Sequence, residues 1–140
     1  MTDQPWLKTS IMAKRGVAKG RAGKRHALSI AAQGDGELSG VAIEQRATVT
    51  MHIDVIKGWS FAWPRLETES FLMTIGSARP LEDAARIAYR ELVRWMSAEY
   101  GFDEIDAYML LSQAGRIRLG NMVDPKYTMG ASILKKYLVP

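Results

Sequence analysis

The sequence contains no cysteine and only two histidines among its 140 residues. Without cysteine the chain cannot form a disulfide, a thiolate metal site or a thiol nucleophile, so His, Asp and Glu are the expected metal ligands. No apolar run approaches the roughly 18 residues that span a bilayer, and no apolar segment follows the N-terminal positive charges as it would in a signal peptide. We therefore expect a soluble, cytoplasmic protein without a membrane partner.

Acidic residues are scarce in the first part of the chain. Residues 1–30 contain seven Lys or Arg and one acid, which gives them a charge of +6, whereas residues 31–140 carry −2. The residues before 30 also lack an apolar period, so the sequence predicts a basic, flexible arm at 1–29 and one domain at 30–140. Such an arm can bind phosphate backbones, but its one aromatic residue, Trp6, provides little stacking on bases, which argues against nucleic acid as a partner.

The domain has the composition of a globular protein, with 47% hydrophobic and 24% charged residues in the whole chain, and it is long enough to bury a core. Strands are predicted at 40–45 and at 47–55, where apolar residues alternate with polar ones in the second segment. His52 lies on the polar face of that strand, which favours an exposed or hydrogen-bonded histidine over a catalytic one.

Large aromatic residues cluster at Trp59, Phe61 and Trp63, ahead of another extended stretch at 65–75. Three large rings in one connection can pack in the core or form an oligomer interface. The sequence leaves both uses open.

Two helices are predicted next. The first begins near Pro80, with acidic residues in its first turn, and ends at Gly101. Its core-facing side is predicted from apolar residues that recur at three and four positions: Leu81, Ala84, Ala85, Ala88, Leu92, Trp95 and Met96. Its solvated side is predicted to carry Arg86, Arg90, Glu91 and Arg94. The second helix, from the Asp103 cap to Ser112, is apolar almost all round and is expected to bury Ile105, Tyr108, Met109, Leu110 and Leu111.

After the second helix, alternation at 116–119 predicts another strand, and Asp124 before Pro125 is expected in a turn. The Asp124 carboxylate can bond its own backbone or orient a site residue. Strands, two packed helices and then strands again predict an α+β fold, with a mostly antiparallel sheet and two packed helices on one face.

The stretch Gln33-Gly34-Asp35-Gly36-Glu37 is the best candidate for chemistry. Its two glycines can adopt positive φ, which favours a tight turn that presents both carboxylates. Two carboxylates at this spacing can ligate a metal, or they can divide acid and base roles because nearby like charges separate their pKa values. The same residues also fit a polar turn before a strand. Their spacing matches neither the dinucleotide fingerprint nor the P-loop.

This stretch and its flanks, from Ala31 to Glu44, resemble the acetamidase/formamidase family. Further matching segments follow in the family's order: Arg79-Pro80-Leu81-Glu82-Asp83-Ala84-Ala85, Asp106-Ala107-Tyr108-Met109-Leu110-Leu111-Ser112, Val123-Asp124-Pro125-Lys126-Tyr127 and Ala131-Ser132-Ile133. The resemblance extends from about residue 30 to the end and corresponds to the C-terminal part of a family member. It implies hydrolysis of a small linear amide, such as formamide or acetamide, to a carboxylate and ammonia.

The resemblance also implies roles for individual residues. Glu37 is expected to be a general base or a ligand of a divalent metal, with zinc as the candidate, and Asp35 is expected to support it as a second catalytic residue and ligand. Gln33, Gly34 and Gly36 are expected to contact the amide substrate. As partners, the family implies further copies of the chain in a homo-oligomer, or a polypeptide that supplies the missing N-terminal half.

One position departs from the family pattern. Family members carry a histidine three residues before the glutamine, whereas this chain has Ile30 there, and His26 lies four residues too early to replace it. A second hypothesis therefore stays open: a truncated or degenerate family member that is a non-catalytic, self-associating domain.

Overall fold

The computed structural model describes residues 10–12, 20–53 and 56–138, with side chains from residue 32 onward except at 47 and 49–53. These ranges contain, in chain order, β1 (Ser10–Met12), β2 (Gly20–Ala32), β3 (Ile43–Ile53), β4 (Arg65–Glu67), β5 (Phe71–Ala78), α1 (Leu81–Tyr100), α2 (Glu104–Ala114), β6 (Arg116–Asn121) and β7 (Tyr127–Leu134). A short 3-10 helix at Lys135–Tyr137 follows the last strand. Within the described ranges, no helix is both long and apolar enough to cross a bilayer.

Five of these strands form one antiparallel sheet in the order β1-β4-β5-β7-β6, and β2 and β3 pair as a separate antiparallel ribbon. Helix α1 lies across β5 and β7, and α2 packs beside α1. The α+β class predicted from the sequence, with an antiparallel sheet and two helices packed against it, is confirmed.

The β2–β3 ribbon begins inside the segment that the sequence assigns to a flexible arm. Residues 20–29 lie in β2 and pair with β3, so the predicted boundary at 29/30 falls within a strand. The strands predicted separately at 40–45 and 47–55 are replaced by the single strand β3. Residues 1–9 and 13–19 of the arm, and the side chains of His26 and His52, lie outside what the structure describes.

Helix α1 packs closely on the sheet because β5 presents a glycine beneath it. A Cβ on Gly76 would lie 2.2 Å from the Ala84 carbonyl oxygen, and the Thr74 hydroxyl donates to the Ala88 carbonyl at 2.6 Å. The core between helix and sheet is then filled by Leu72, Leu92, Trp95, Met96 and Ile133, all fully buried. The helix side that the apolar period predicts is therefore the buried side.

Glu91 corrects one part of that prediction. The sequence assigns it to the solvated side of α1, but it is only 2% exposed. Its Oε1 accepts from Nε of Arg65 at 2.9 Å and lies 2.8 Å from Nη2. A buried carboxylate needs an opposite charge and hydrogen-bond donors. Arg65 supplies both from β4, which a pattern within the helix cannot reveal.

Trp59 and Phe61, together with Trp95 of α1, pack around this ion pair. The Arg65 guanidinium carbon lies 5.2, 5.7 and 5.1 Å from the ring centroids of Trp59, Phe61 and Trp95, within the range of cation–π attraction. Phe61 is 8% exposed, and Trp59 meets its ring edge-on at a centroid distance of 5.0 Å. Of the two uses left open by the sequence, core packing is the one seen for Phe61.

The second correction concerns α2, which the sequence predicts to be buried on all sides. Only Ala107 and Leu111 are buried, because the helix contacts α1 and β7 along one side. The opposite side carries Ile105 and Tyr108, each 65% exposed, and Met109, 48% exposed. We call these three residues the α2 outer face.

The five-stranded sheet has a second face, on the side away from the helices. Burial alternates along β5, with Leu72, Thr74 and Gly76 buried under α1, so Phe71, Met73 and Ile75 point to the other side. The register places Leu66 of β4 opposite Met73 and Leu134 of β7 opposite Phe71. These five apolar side chains are half-buried. We call them the helix-free face.

Candidate active site

The Gln33–Glu37 loop, which follows β2, docks on the edge strand β6. The Glu37 N–H donates to the Gly34 carbonyl at 3.3 Å and closes a turn. Gly36 has a φ of +94° and Glu37 a φ of +41°, and positive values are uncommon for residues other than glycine. The Gly36 carbonyl accepts from the Met122 N–H at 2.8 Å. The loop is therefore tied to the end of β6 through its backbone.

Only one of the two loop glycines is required by packing. A Cβ on Gly36 would lie 2.9 Å from Cδ2 of Leu119, whereas a Cβ on Gly34 would meet nothing within 4 Å. Gly36 is buried and has the positive φ, and Gly34 is exposed. Gly36 thus lets the loop approach β6, while Gly34 stays accessible to a ligand.

Asp35 is held from the same strand by Arg118. Oδ2 of Asp35 accepts from Nη2 at 2.6 Å and from Nε at 3.1 Å. Both side chains are about half exposed or more, at 47% for Arg118 and 64% for Asp35. A pair this open to water contributes only about 0–1 kcal/mol to stability. It orients the loop more than it stabilises the fold.

Glu37 is held by Asn121, which also binds a second carboxylate. Nδ2 of Asn121 donates to Oε2 of Glu37 at 2.6 Å and to Oδ2 of Asp124 at 2.8 Å. The Asp124 N–H in turn donates to Oδ1 of Asn121 at 3.1 Å. Asn121 is 8% exposed, and both hydrogens of its amide are used. Asp124 therefore helps to fix the Asn121 amide that binds the Glu37 carboxylate.

A bulge in β6 brings the two anchoring side chains to one side of the sheet. Leu119 pairs with Met129 and Asn121 with Thr128, so one extra residue, Gly120, lies in β6 at this point. An extra residue reverses the alternation of side chains beyond it. As a result, Arg118 and Asn121 both project on the side of the helix-free face.

The structure separates the predicted site residues into three groups. Asp35 and Glu37 are both fixed, but on different donors. Gln33 and Gly34 are exposed and line a shallow, open depression whose apolar wall includes Val41 and Ile43. Gly36 is buried in the loop's contact with β6.

Sequence reasoning missed Arg118 and Asn121 as part of this site. Arg118 lies 83 residues from Asp35, and no local spacing links residues so far apart. A weaker signal existed for Asn121, because an Asn followed three residues later by Asp-Pro is typical of a side-chain-closed turn. Such a turn near an edge strand indicates that the asparagine side-chain amide is fixed in place. It does not indicate which group that amide binds.

The described residues do not by themselves form a ligand set for the divalent metal expected from the resemblance. Among them, no group of three or more His, Asp or Glu side chains is placed to hold a metal ion. Asp35 accepts from the Arg118 guanidinium at Oδ2 and Glu37 from the Asn121 amide at Oε2, and these bonds leave lone pairs on both carboxylates. A metal bound here would need ligands from outside the described residues.

No family model and no curated protein matches this chain. Solved crystal structures do match, and three of them show the similarity. An acetamidase from Yersinia enterocolitica is 56% identical to this chain, with a TM-score of 0.75. The match covers 79% of this chain and 34% of the acetamidase chain. An acetamidase from Bacillus halodurans is 34% identical, with a TM-score of 0.70, and the match covers 77% of this chain and 37% of that acetamidase chain.

The third structure is a recombinant predicted acetamidase/formamidase from the thermophile Thermoanaerobacter tengcongensis, 28% identical with a TM-score of 0.71, covering 78% of this chain and 36% of its own. The chain thus spans about a third of the length of the solved structures it matches. These similarities confirm the resemblance that the sequence motifs indicate.

Proposed function

Because this chain is similar in sequence and fold to about a third of an acetamidase/formamidase, we propose that it takes part in hydrolysing small linear amides of the formamide or acetamide type. The observation that carries the proposal is the fixed carboxylate of Glu37. Asn121 binds its Oε2, and none of the described residues donates a hydrogen bond to Oε1. One oxygen is held in place and the other is available to a water molecule.

In the proposed reaction, Oε1 of Glu37 takes a proton from water as the water oxygen bonds to the amide carbonyl carbon. Glu37 then returns the proton to the amide nitrogen as the C–N bond breaks, which gives a carboxylic acid and ammonia. The acid's proton passes to the ammonia near neutral pH, so the products are carboxylate and ammonium. A positioned base of this kind typically contributes a factor of about 100 to 10,000 in rate. Asp35, anchored by Arg118, holds the loop in the conformation that presents Glu37.

The substrate would occupy the open depression beside the loop. The Gln33 side chain can donate to the amide oxygen and accept from its nitrogen, and the exposed Gly34 backbone leaves room for close approach. Val41 and Ile43 offer apolar contact to the methyl group of an acetamide. Gly36 contributes indirectly, because it lets the loop reach β6.

Two parts of the proposal lie beyond the described residues. The first is a divalent metal, with zinc as the candidate, to which Glu37 or Asp35 would contribute a carboxylate oxygen. The second is further polypeptide, since the similar enzymes are about three times as long as the matched region. We expect the 140-residue chain alone to have little amidase activity.

The function is tested in a chimera in which this chain replaces the matched third of the Yersinia enterocolitica acetamidase. We expect ammonia release from formamide or acetamide, abolished by Glu37→Gln. Glu104→Gln, at an exposed position on α2, is the matched control and should retain activity. Turnover that survives Glu37→Gln would place the site elsewhere.

A non-catalytic, self-associating domain is the second candidate. It is favoured by the α2 outer face, where three large apolar side chains remain exposed. Exposed apolar clusters of this kind commonly mark interaction surfaces. Sedimentation equilibrium of the 140-residue chain decides the point. Association weakened by Tyr108→Asp would support this role, and a monomer at high concentration would exclude it.

A further inference from the structure

Among the described residues, no helix packs on the helix-free face, whose apolar side chains are half-buried. Antiparallel sheets commonly leave one face in water, but that face then carries polar residues. Here Leu66, Phe71, Met73, Ile75 and Leu134 occupy it. Met73 and Ile75 also fold over Gly130, with Sδ of Met73 3.0 Å and Cδ1 of Ile75 3.5 Å from where a Cβ would lie.

The rim of this surface is basic and continuous with the candidate active site. Arg116 and Arg118 of β6 border the same depression as Phe71 and Met73. Arg118 holds Asp35, whereas Arg116 is exposed and has no ion pair among the described residues. A layer placed over the helix-free face would therefore also contact the residues that anchor the loop.

We infer that the helix-free face is the docking surface for the polypeptide that completes the acetamidase-like fold. This inference rests on the proposed function, because it assumes that the chain works as one part of such an enzyme. The docking layer is expected to present apolar side chains to Met73 and Phe71, and an acidic side chain to Arg116.

Two observations favour this occupant over a second copy of the chain. The similar structures contain about two-thirds of their length outside the matched region, which is ample polypeptide to form another layer. In addition, the described residues leave the depression beside Gln33 and Gly34 open on its outer side, and further polypeptide could supply a wall for a small substrate there. The helix-free face borders the same loop, and polypeptide docked on it could provide that wall.

Methionine oxidation tests the inference, because the helix-free face and the α2 outer face each carry one methionine. Met73 lies on the helix-free face and Met109 on the α2 outer face. Oxidation by peroxide follows side-chain exposure, so its rate reports coverage. We expect Met73 to be oxidised several-fold more slowly in the chimera with the Yersinia enterocolitica acetamidase than in the 140-residue chain, with Met109 changing little.

A second measurement uses charge insertion at the same two positions. Met73→Asp should lower the melting temperature more in the chimera than in the chain alone, whereas Met109→Asp should lower both equally. Equal Met73 oxidation in the two proteins, or protection of Met109 instead, would overturn the inference. A chimera that does not fold although its parent does would also count against it.

The oxidation experiment is independent of amidase activity. Protection of Met73 in an inactive chimera would support docking and contradict the proposed function. An active chimera in which Met73 is not protected would support the proposed function and contradict docking on the helix-free face. Concentration-dependent protection of Met73 in the chain alone would identify a second copy as the occupant and overturn the inference.

Discussion

The Arg65 guanidinium and the Glu91 carboxylate form an ion pair whose side chains are only 4% and 2% exposed. Glu91→Gln would leave the buried arginine charge with only the more exposed Glu99 carboxylate, whose Oε1 lies 3.6 Å from Nη1 of Arg65, and breaking a buried pair costs up to about 3–5 kcal/mol. We expect a loss of this size in the free energy of unfolding, measured in urea. The control is Asp83→Asn, which removes an exposed pair with Arg86 and should cost no more than about 1 kcal/mol.

Leu92 and Arg90 lie two positions apart in α1 but on opposite sides of it. Leu92 is fully buried in the core, so Leu92→Ala should lower the free energy of unfolding by about 2–5 kcal/mol. Arg90→Ala, at an exposed position, should change it little. Chemical denaturation that gave equal costs would contradict the assignment of the buried side.

The two glycines of the loop should respond differently to the same substitution. Gly36→Ala places a methyl group 2.9 Å from Leu119 at a φ of +94°, and backbone strain of this kind costs about 1–3 kcal/mol. Gly34→Ala meets no neighbouring atom and should cost little. Thermal unfolding of both variants provides the comparison, and equal melting temperatures would show that the loop does not dock as described.

Asn121 is expected to hold Glu37 in place through its amide nitrogen. Asn121→Asp keeps the shape but removes the donor and adds a third carboxylate beside Glu37 and Asp124. We expect faster hydrogen exchange of the Met122 N–H, which bonds to the Gly36 carbonyl. Gln45→Glu, the same amide-to-acid change at an exposed position of β3, is the control, and an equal response of the Met122 N–H to both variants would contradict the role.

The sequence predicted best the features that depend on local periodicity. The buried side of α1, with Leu92 and Trp95, follows from a 3.6-residue period that needs no knowledge of the rest of the fold. The burial of Glu91 could not be predicted from this period, because it depends on Arg65, which lies on β4. The α2 outer face was mispredicted for a related reason: an apolar helix is buried only where another layer covers it.

In the candidate site, too, the local features could be predicted from the sequence and the non-local ones could not. The loop motif drew attention to Asp35 and Glu37 because their residue types and spacing are local properties. Arg118 and Asn121, which fix the two carboxylates, became visible only when the fold brought β6 beside the loop. Their common orientation also depends on the bulge at Gly120, and the alternating pattern at 116–119 gives no sign that it is interrupted.

That bulge makes the site sensitive to insertions and deletions as well as to substitutions. Deleting Gly120 would change no side chain in the loop or in its anchors, yet it would return β6 to regular alternation and turn Asn121 to the face of the sheet on which the helices pack. Glu37 would lose its donor while every residue named in the proposed reaction remained. The number of residues in this strand is therefore as much a determinant of the site as their identity, and a relative with one residue fewer here would hold its loop in a different way.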